Sequence, residues 1–229
     1  MPAFNGFSKD LVKFLKQLQK NNDRDWFKAN KSRYESDVQL PALEFIAAME
    51  KPFKKLSPYF RVVAKKSGGS LMRVYRDTRF SKDKTPYKTN VGIHFRHEAG
   101  KDVHAPGFYF HIEPKEVFIG AGVWHPDSAA LKKIRTWIVT EPSKWKRITR
   151  SKKLLSTFVI HGDTLKRPPR DFDPEHELIA DLKMKDHMVL ANLKHSELQS
   201  KDVVKNVCAL FKQTKPYVQF LCDALRLPC

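Results

Sequence analysis

The apolar period changes at Pro58, and this limits the possible folds more than any other feature of the chain. Before it, Leu11, Phe14, Leu15 and Leu18 recur at helical spacing behind Ser8, which stands where an N-cap belongs, and Asn21-Asn22 supply a stop. Asp23 or Asp25 caps a second helix carrying Trp26, Phe27, Tyr34 and Val38. Pro41 fits the first turn of a third, with Leu43, Phe45, Ile46 and Met49 on its buried side. After Pro58 the chain turns to β-branched and aromatic residues. "YFRVVAK" and "SLMRVY" flank the turn Ser67-Gly68-Gly69-Ser70, "VGIHFRH" alternates Val91, Ile93 and Phe95 against Gly92, His94 and Arg96, and "GFYFHIEPKEVFIGAGVW" reads as a hairpin turning near Pro114-Lys115.

Helical signals return at Asp127, a cap for "SAALKKIRTWIV", and at Pro142, which opens a helix through Trp145 and Ile148. "DTLKRPPRDFDPEHE" reads as an ordered strap, "DHMVLANL" as a last strand, and "KDVVKNVCALFKQTKPYVQFLCDAL" as a long helix bent at Pro216. Grouped strands without βαβ alternation predict an α+β fold. The expected arrangement is a helical N-terminal region, a central antiparallel or mixed sheet of four to six strands and C-terminal helices, in one domain over residues 1–229.

A hydrophobic fraction of 41% with 16 Phe is enough for a core of ordinary density. Lys and Arg number 43 against 25 Asp and Glu, so the net charge is +18 and polyanions are favoured as encounter partners. The same charge also serves solubility alone. Cys208, Cys222 and Cys229 form no metal knuckle or disulfide framework and fit a reducing compartment. The most apolar window, "LEFIAAM", falls far short of the ~20 residues of a membrane span. The expectation is a cytoplasmic protein with no membrane partner.

Residues 71–90, "LMRVYRDTRFSKDKTPYKTN", concentrate the charge. The preceding β-rich residues and Thr85-Pro86 predict a strand running into a loop, with Arg73, Tyr75, Asp77 and Arg79 on one strand face. Arginine binds phosphate or carboxylate through paired hydrogen bonds, and several together repel unless negative charge joins them. The cluster is therefore either an anion site or a structural network. The proposed anion ligands are Arg73, Arg76 and Arg79, with Lys84, Tyr87 and Lys88 at the loop edge and Asp77 orienting an arginine. In the structural alternative, acids such as Glu35, Glu44 or Glu113 complete the network.

This segment resembles the signature of the mainly bacterial family designated domain of unknown function 2461, R-x-x-R-D-x-R-F followed by x-x-x-K-x-x-Y. Arg73, Arg76, Asp77, Arg79, Phe80, Lys84 and Tyr87 all match it. "NNDRDWFKANKSRYE", "FYFHIEPKEVFIGAGVWHPD" and "LKRPPRDFDPEHE" are also similar to the family, so the resemblance covers most of the chain. It implies a single domain and carries over no activity or catalytic residue.

Two further clusters hold chemistry. His111 and Glu113 lie two apart on one strand face, a spacing that suits two metal ligands, an acid–base pair or an ordinary hydrogen-bonded histidine. His97 and His104 fall in "RHEAGKDVHAPG", read as a solvated loop tip. The run from Lys132 to Lys153 interleaves cations with Trp137 and Trp145, which serve either base stacking or core anchoring. Within the sequence this run faces only Glu141. No P-loop, dinucleotide fingerprint, nucleophile elbow or zinc-protease helix occurs, and no metal or cofactor is assigned. The functional expectation is binding of a phosphorylated partner, nucleic acid or small molecule, at the arginines. The alternatives are an enzyme on a phosphorylated or carboxylated ligand, with Asp77, His111 or Glu113 transferring the proton, and a protein-interaction domain with a structural arginine network.

Overall fold

Ser8 accepts a hydrogen bond from the Asp10 amide at 3.1 Å and starts α1 (Lys9–Lys20), as its N-cap position predicts. The computed structural model describes residues 4–100 and 104–229. Of the two candidate caps for the next helix, Asp23 acts, accepting from Trp26 N at 2.8 Å to begin α2 (Arg24–Ala29). The chain continues through α3 (Lys31–Tyr34), a π-helical turn (Glu35–Gln39) and α4 (Leu40–Leu56), with Pro41 in the first turn of α4. The wide turn was not legible as such. It keeps Tyr34, Val38 and Ala42 buried on one side.

The remaining elements, in chain order, are β1 (Phe60–Arg61), β2 (Val91–His97), β3 (Gly107–Ile112), β4 (Val117–Val123), α5 (Ser128–Thr140), α6 (Pro142–Thr149), α7 (Lys152–Leu155), β5 (Val159–His161), α8 (Ile179–Leu182), β6 (His187–Leu193), α9 (His195–Leu198) and α10 (Val203–Leu225). The strands form one six-stranded sheet of order β1-β2-β3-β4-β6-β5, and every neighbouring pair is antiparallel. The helical N-terminal region, central sheet and C-terminal helices stand as the periodicity predicts. No helix among the described residues is long and apolar enough to cross a membrane.

Strand alternation sorts the sheet into two faces. Val91, Ile93 and Phe95 of β2, Phe108 and Phe110 of β3, and Ile119 and Ala121 of β4 are buried against the helices. The ring of Phe53 on α4 meets Phe95 at 4.6 Å and Phe108 at 5.2 Å, and Phe211 on α10 meets Phe108 at 5.1 Å. The other face carries His94, Arg96, Tyr109, His111 and Phe118, half-buried or exposed.

Two expectations change. The strands expected at "YFRVVAK" and "SLMRVY" shrink to the two residues of β1 and isolated bridges of Leu71 to Ile93 and Tyr75 to Tyr87. Ser70 explains the loss, because its hydroxyl accepts from Val63 N at 3.0 Å and donates to Arg61 O at 3.2 Å, replacing ladder bonds with side-chain ones. His97, read as solvated, is 1% exposed, and its Nε2 lies 2.7 Å from the Pro228 carbonyl. Residues 101–103 of that expected loop tip lie outside the described residues.

Gly122 and Gly68 both have positive φ, +135° and +70°, but their surroundings differ. A Cβ on Gly122 would lie 2.0 Å from the His187 carbonyl oxygen of β6, whereas a Cβ on Gly68 would meet nothing within 4 Å. Gly122→Ala is expected to cost about 3 kcal/mol or more, since strain and backbone collision add. Gly68→Ala should cost only about 1 kcal/mol, the left-handed penalty alone. Urea unfolding of the two variants checks this, and equal losses would contradict it.

Candidate functional site

The arginine-rich segment is a loop pinned at its neck. Tyr75 and Tyr87 form an isolated bridge, Arg76 N donates to Pro86 O at 2.9 Å, and Lys88 N donates to Val74 O at 2.7 Å. Tyr87 anchors the loop. Its ring stacks on Phe27 at 4.0 Å and 17°, it is 6% exposed, and Asn22 brackets its backbone with bonds of 2.9 and 3.1 Å. The expected strand face of Arg73, Tyr75, Asp77 and Arg79 does not form, because pairing stops after single bridges.

The loop divides its cations. The Arg76 guanidinium bonds to Asp83 and to the Thr85 hydroxyl, and reaches Thr85 O at 3.3 Å. Arg79 holds Asp77 through Nε at 3.0 Å and a terminal nitrogen at 2.7 Å, and lies 5.9 Å from the exposed Phe80 ring. Lys84 donates to Thr78 O at 2.9 Å. Hydrogen bonds from Arg79 hold the Asp77 carboxyl down at about 2, which makes it a poor proton acceptor near neutrality. Asp83 is held down to about 2 first by the Thr85 amide and then by Arg76. Among the described residues, Glu35, Glu44 and Glu113 make no ion pair with these arginines; the acids inside the loop do that instead.

Arg73 and Lys88 are placed differently. They line a groove of about 620 Å³ that runs along the β2 edge, between the Ser67-to-Ser70 turn and the polar sheet face. Arg61, Lys66, Arg96 and His94 line it too, and no carboxylate or large aromatic ring does. Arg61 and Arg96 are direct cross-strand partners in the β1–β2 register, so like charges face each other there. Among the described residues, none of the five cations has a salt bridge to a carboxylate. The Lys88 ammonium is pushed below the usual lysine range, first by burial and then by the charge of Arg73. Arg96 Nε donates to His94 Nδ1 at 3.2 Å, and burial lowers His94 to about 4, so the ring is neutral at pH 7.

A family model described as conserved hypothetical protein (DUF2461) matches residues 10–220. The chain belongs to this family. No curated protein and no solved structure matches. Within this DUF2461 chain, the signature arginines thus split into Arg76 and Arg79, which are paired inside their loop, and Arg73, which faces the groove. Sequence reasoning missed Arg61, Lys66, Arg96 and His94 as groove residues. Alternation in "VGIHFRH" had set His94 and Arg96 on one face, but only the register to β1 brings Arg61 opposite.

His111 and Glu113 share the polar face, with Nε2 and Oε2 3.4 Å apart, but neither lines the groove. His104 accepts from Asp127 N at 3.0 Å. The basic helices are core-anchored. Trp145 is fully buried and donates to Asp181 at 2.9 Å, and Trp137 packs against the core. Some of their cations meet acids distant in sequence, Lys132 with Asp171 at 2.7 Å and Lys144 with Asp223 at 2.7 Å.

Removing Arg76 should loosen the loop, and Arg76→Ala is expected to lower unfolding stability by about 1 kcal/mol. Arg79→Ala should leave the urea midpoint unchanged, because that pair sits in solvent. A larger shift for Arg79→Ala would overturn this assignment. Stability should also fall as pH drops from about 6.5 to about 4. His94 and the fully buried His187 are both lowered to about 4 by burial, so in that window the unfolded chain binds more protons than the folded one. Each can contribute up to about 3 kcal/mol, and His94→Asn should flatten the pH dependence of the urea midpoint.

Proposed function

We propose that this protein binds a phosphorylated small molecule in the groove between the Ser67-to-Ser70 turn and the β2 edge. The observation that carries this reading is the convergence of Arg61, Lys66, Arg73, Lys88 and Arg96 on one groove with no carboxylate in its lining. Five cations held at that proximity repel one another, and an anion between them removes the repulsion while gaining charge-assisted hydrogen bonds. The lowered Lys88 has the same origin: it lies partly out of water beside Arg73. Arg96 donates to the neutral His94 ring, which leaves the guanidinium charge uncompensated there.

A phosphorylated small molecule is favoured over a polynucleotide for two reasons. The groove has the volume of an ordinary small-ligand site, about 620 Å³. It also presents no large aromatic ring, whereas single-stranded nucleic acid is held by base stacking on such rings as well as by charge. Of the original loop ligands, Arg73 and Lys88 belong to this reading. Arg76, Arg79 and Lys84 already have partners, and Tyr87 is an anchor.

Calorimetric titration with inorganic triphosphate tests the groove. Arg73→Ala and Arg96→Ala should each weaken binding about 10–100-fold, the loss of a charge-assisted bond, while Arg79→Ala stays within about twofold of wild type. Raising pH through the lowered Lys88 range should weaken it further. Equal binding by wild type and Arg73→Ala would defeat the proposal. Tighter retention of a DNA duplex than of triphosphate, lost in the same variants, would replace the small molecule with a polynucleotide.

A further inference from the structure

Outside the groove, the turn joining β3 to β4 gathers three ligating side chains. His111, Glu113 and Glu116 each bring one ligand atom within 4.8 Å of the other two. Antiparallel pairing causes this. Ile112 faces Val117, so Glu113 and Glu116 close the next rung, and both carboxylates follow His111 onto the polar face. Glu113 N donates to Glu116 O at 2.9 Å, and His195 Nε2 lies 2.9 Å from the Glu113 carbonyl, so the turn is held at both ends.

The histidine is oriented as a ligand would be. Its ring stacks on Phe118 at 4.6 Å and 11°. Its Nδ1 lies 3.1 Å from the Tyr109 hydroxyl, with the Asn90 amide flanking it at 3.4 Å. Second partners of this kind fix tautomer and ring angle at metal sites. The Nε2 atom is buried and makes no hydrogen bond, although Glu113 Oε2 is 3.4 Å away. A tetrahedral zinc ion with bonds of about 2.1 Å holds its ligand atoms about 3.4 Å apart, so the His111–Glu113 edge already has the required length. Glu116 is exposed, and its ligand atom lies within 4.8 Å of the other two.

We infer that His111, Glu113 and Glu116 form a three-ligand site for a first-row divalent cation, with zinc the best match to its nitrogen and oxygen donors. His111 binds through Nε2, with Nδ1–H donating to Tyr109, and the two carboxylates bind through one oxygen each. Three protein ligands leave one position for water or a small anion, the arrangement of open rather than purely structural zinc sites. The site is separate from the cationic groove and does not rest on it, although Tyr109 touches both His111 and His94 along the polar face.

The full chain, stripped with chelator, is titrated with zinc chloride by calorimetry and separately with cobalt(II) under an absorption spectrum. The expected result is one tight site per chain and a cobalt spectrum without thiolate charge-transfer bands, since Cys208, Cys222 and Cys229 are not ligands. Glu116→Gln and Glu113→Gln should each weaken zinc binding tenfold or more, and Tyr109→Phe about 10–100-fold as the loss of an outer partner. Thermal melts of the metal-free variants show that they fold. Should Glu113→Gln fail that check, Glu116→Gln decides alone, because its side chain is exposed. Absence of a tight site, thiolate bands, or unchanged affinity in Glu116→Gln would overturn the assignment.

Discussion

Phe211 of α10 packs against Phe53 of α4 and against Phe95 and Phe108 of the sheet, and this contact joins segments more than a hundred residues apart. Burying each ring is worth about 1.5–3 kcal/mol, so the layer is a main source of cohesion between helices and sheet. It also decides which face of the sheet is available. With α4 and α10 on the aromatic face, His94, Arg96, Tyr109 and His111 are left on the opposite one. Both the groove and the β3–β4 turn draw on that second face.

Charge is distributed by the same geometry. The cations of the arginine-rich loop that have acids within a few residues are neutralised locally, Arg76 by Asp83 and Arg79 by Asp77. Three cations of the basic helices are paired at long range, Lys132 with Asp171 and Lys146 with Glu177 of the strap, and Lys144 with Asp223 of α10. Among the described residues, five cations with no salt bridge to a carboxylate line the groove at the β1–β2 edge. The structural network and the anion site, set against each other in the sequence, thus divide the motif between them: the network takes Arg76 and Arg79, and the anion proposal keeps Arg73 and Lys88.

Much of the fold was legible because its signals are local. Ser8, Asp23 and Asp127 cap helices where their spacing to the next apolar residue said they would, and Pro41 and Pro142 open helices. The β3–β4 hairpin turns at Pro114-Lys115 as read. The failures were also physical. Ser70 diverts the backbone of a segment with good strand composition, and a polar-looking His97 is buried because Pro228, 131 residues away, supplies its partner. Neither fact leaves a local trace.

The sequence by itself determined the α+β class, most element positions, the inward pattern of Phe and Ile, and a segment dense in arginine. Those follow from period, capping and composition, which act over a few residues. Tertiary structure decided which charges are already paired and which converge. Arg61 meets Arg96 only through the register of β1 on β2, and Glu116 joins His111 only because the hairpin places alternate rungs on one face. Register and packing are set by the whole core rather than by neighbours in the chain, so the composition of both candidate sites became visible only once the aromatic layer had fixed the sheet.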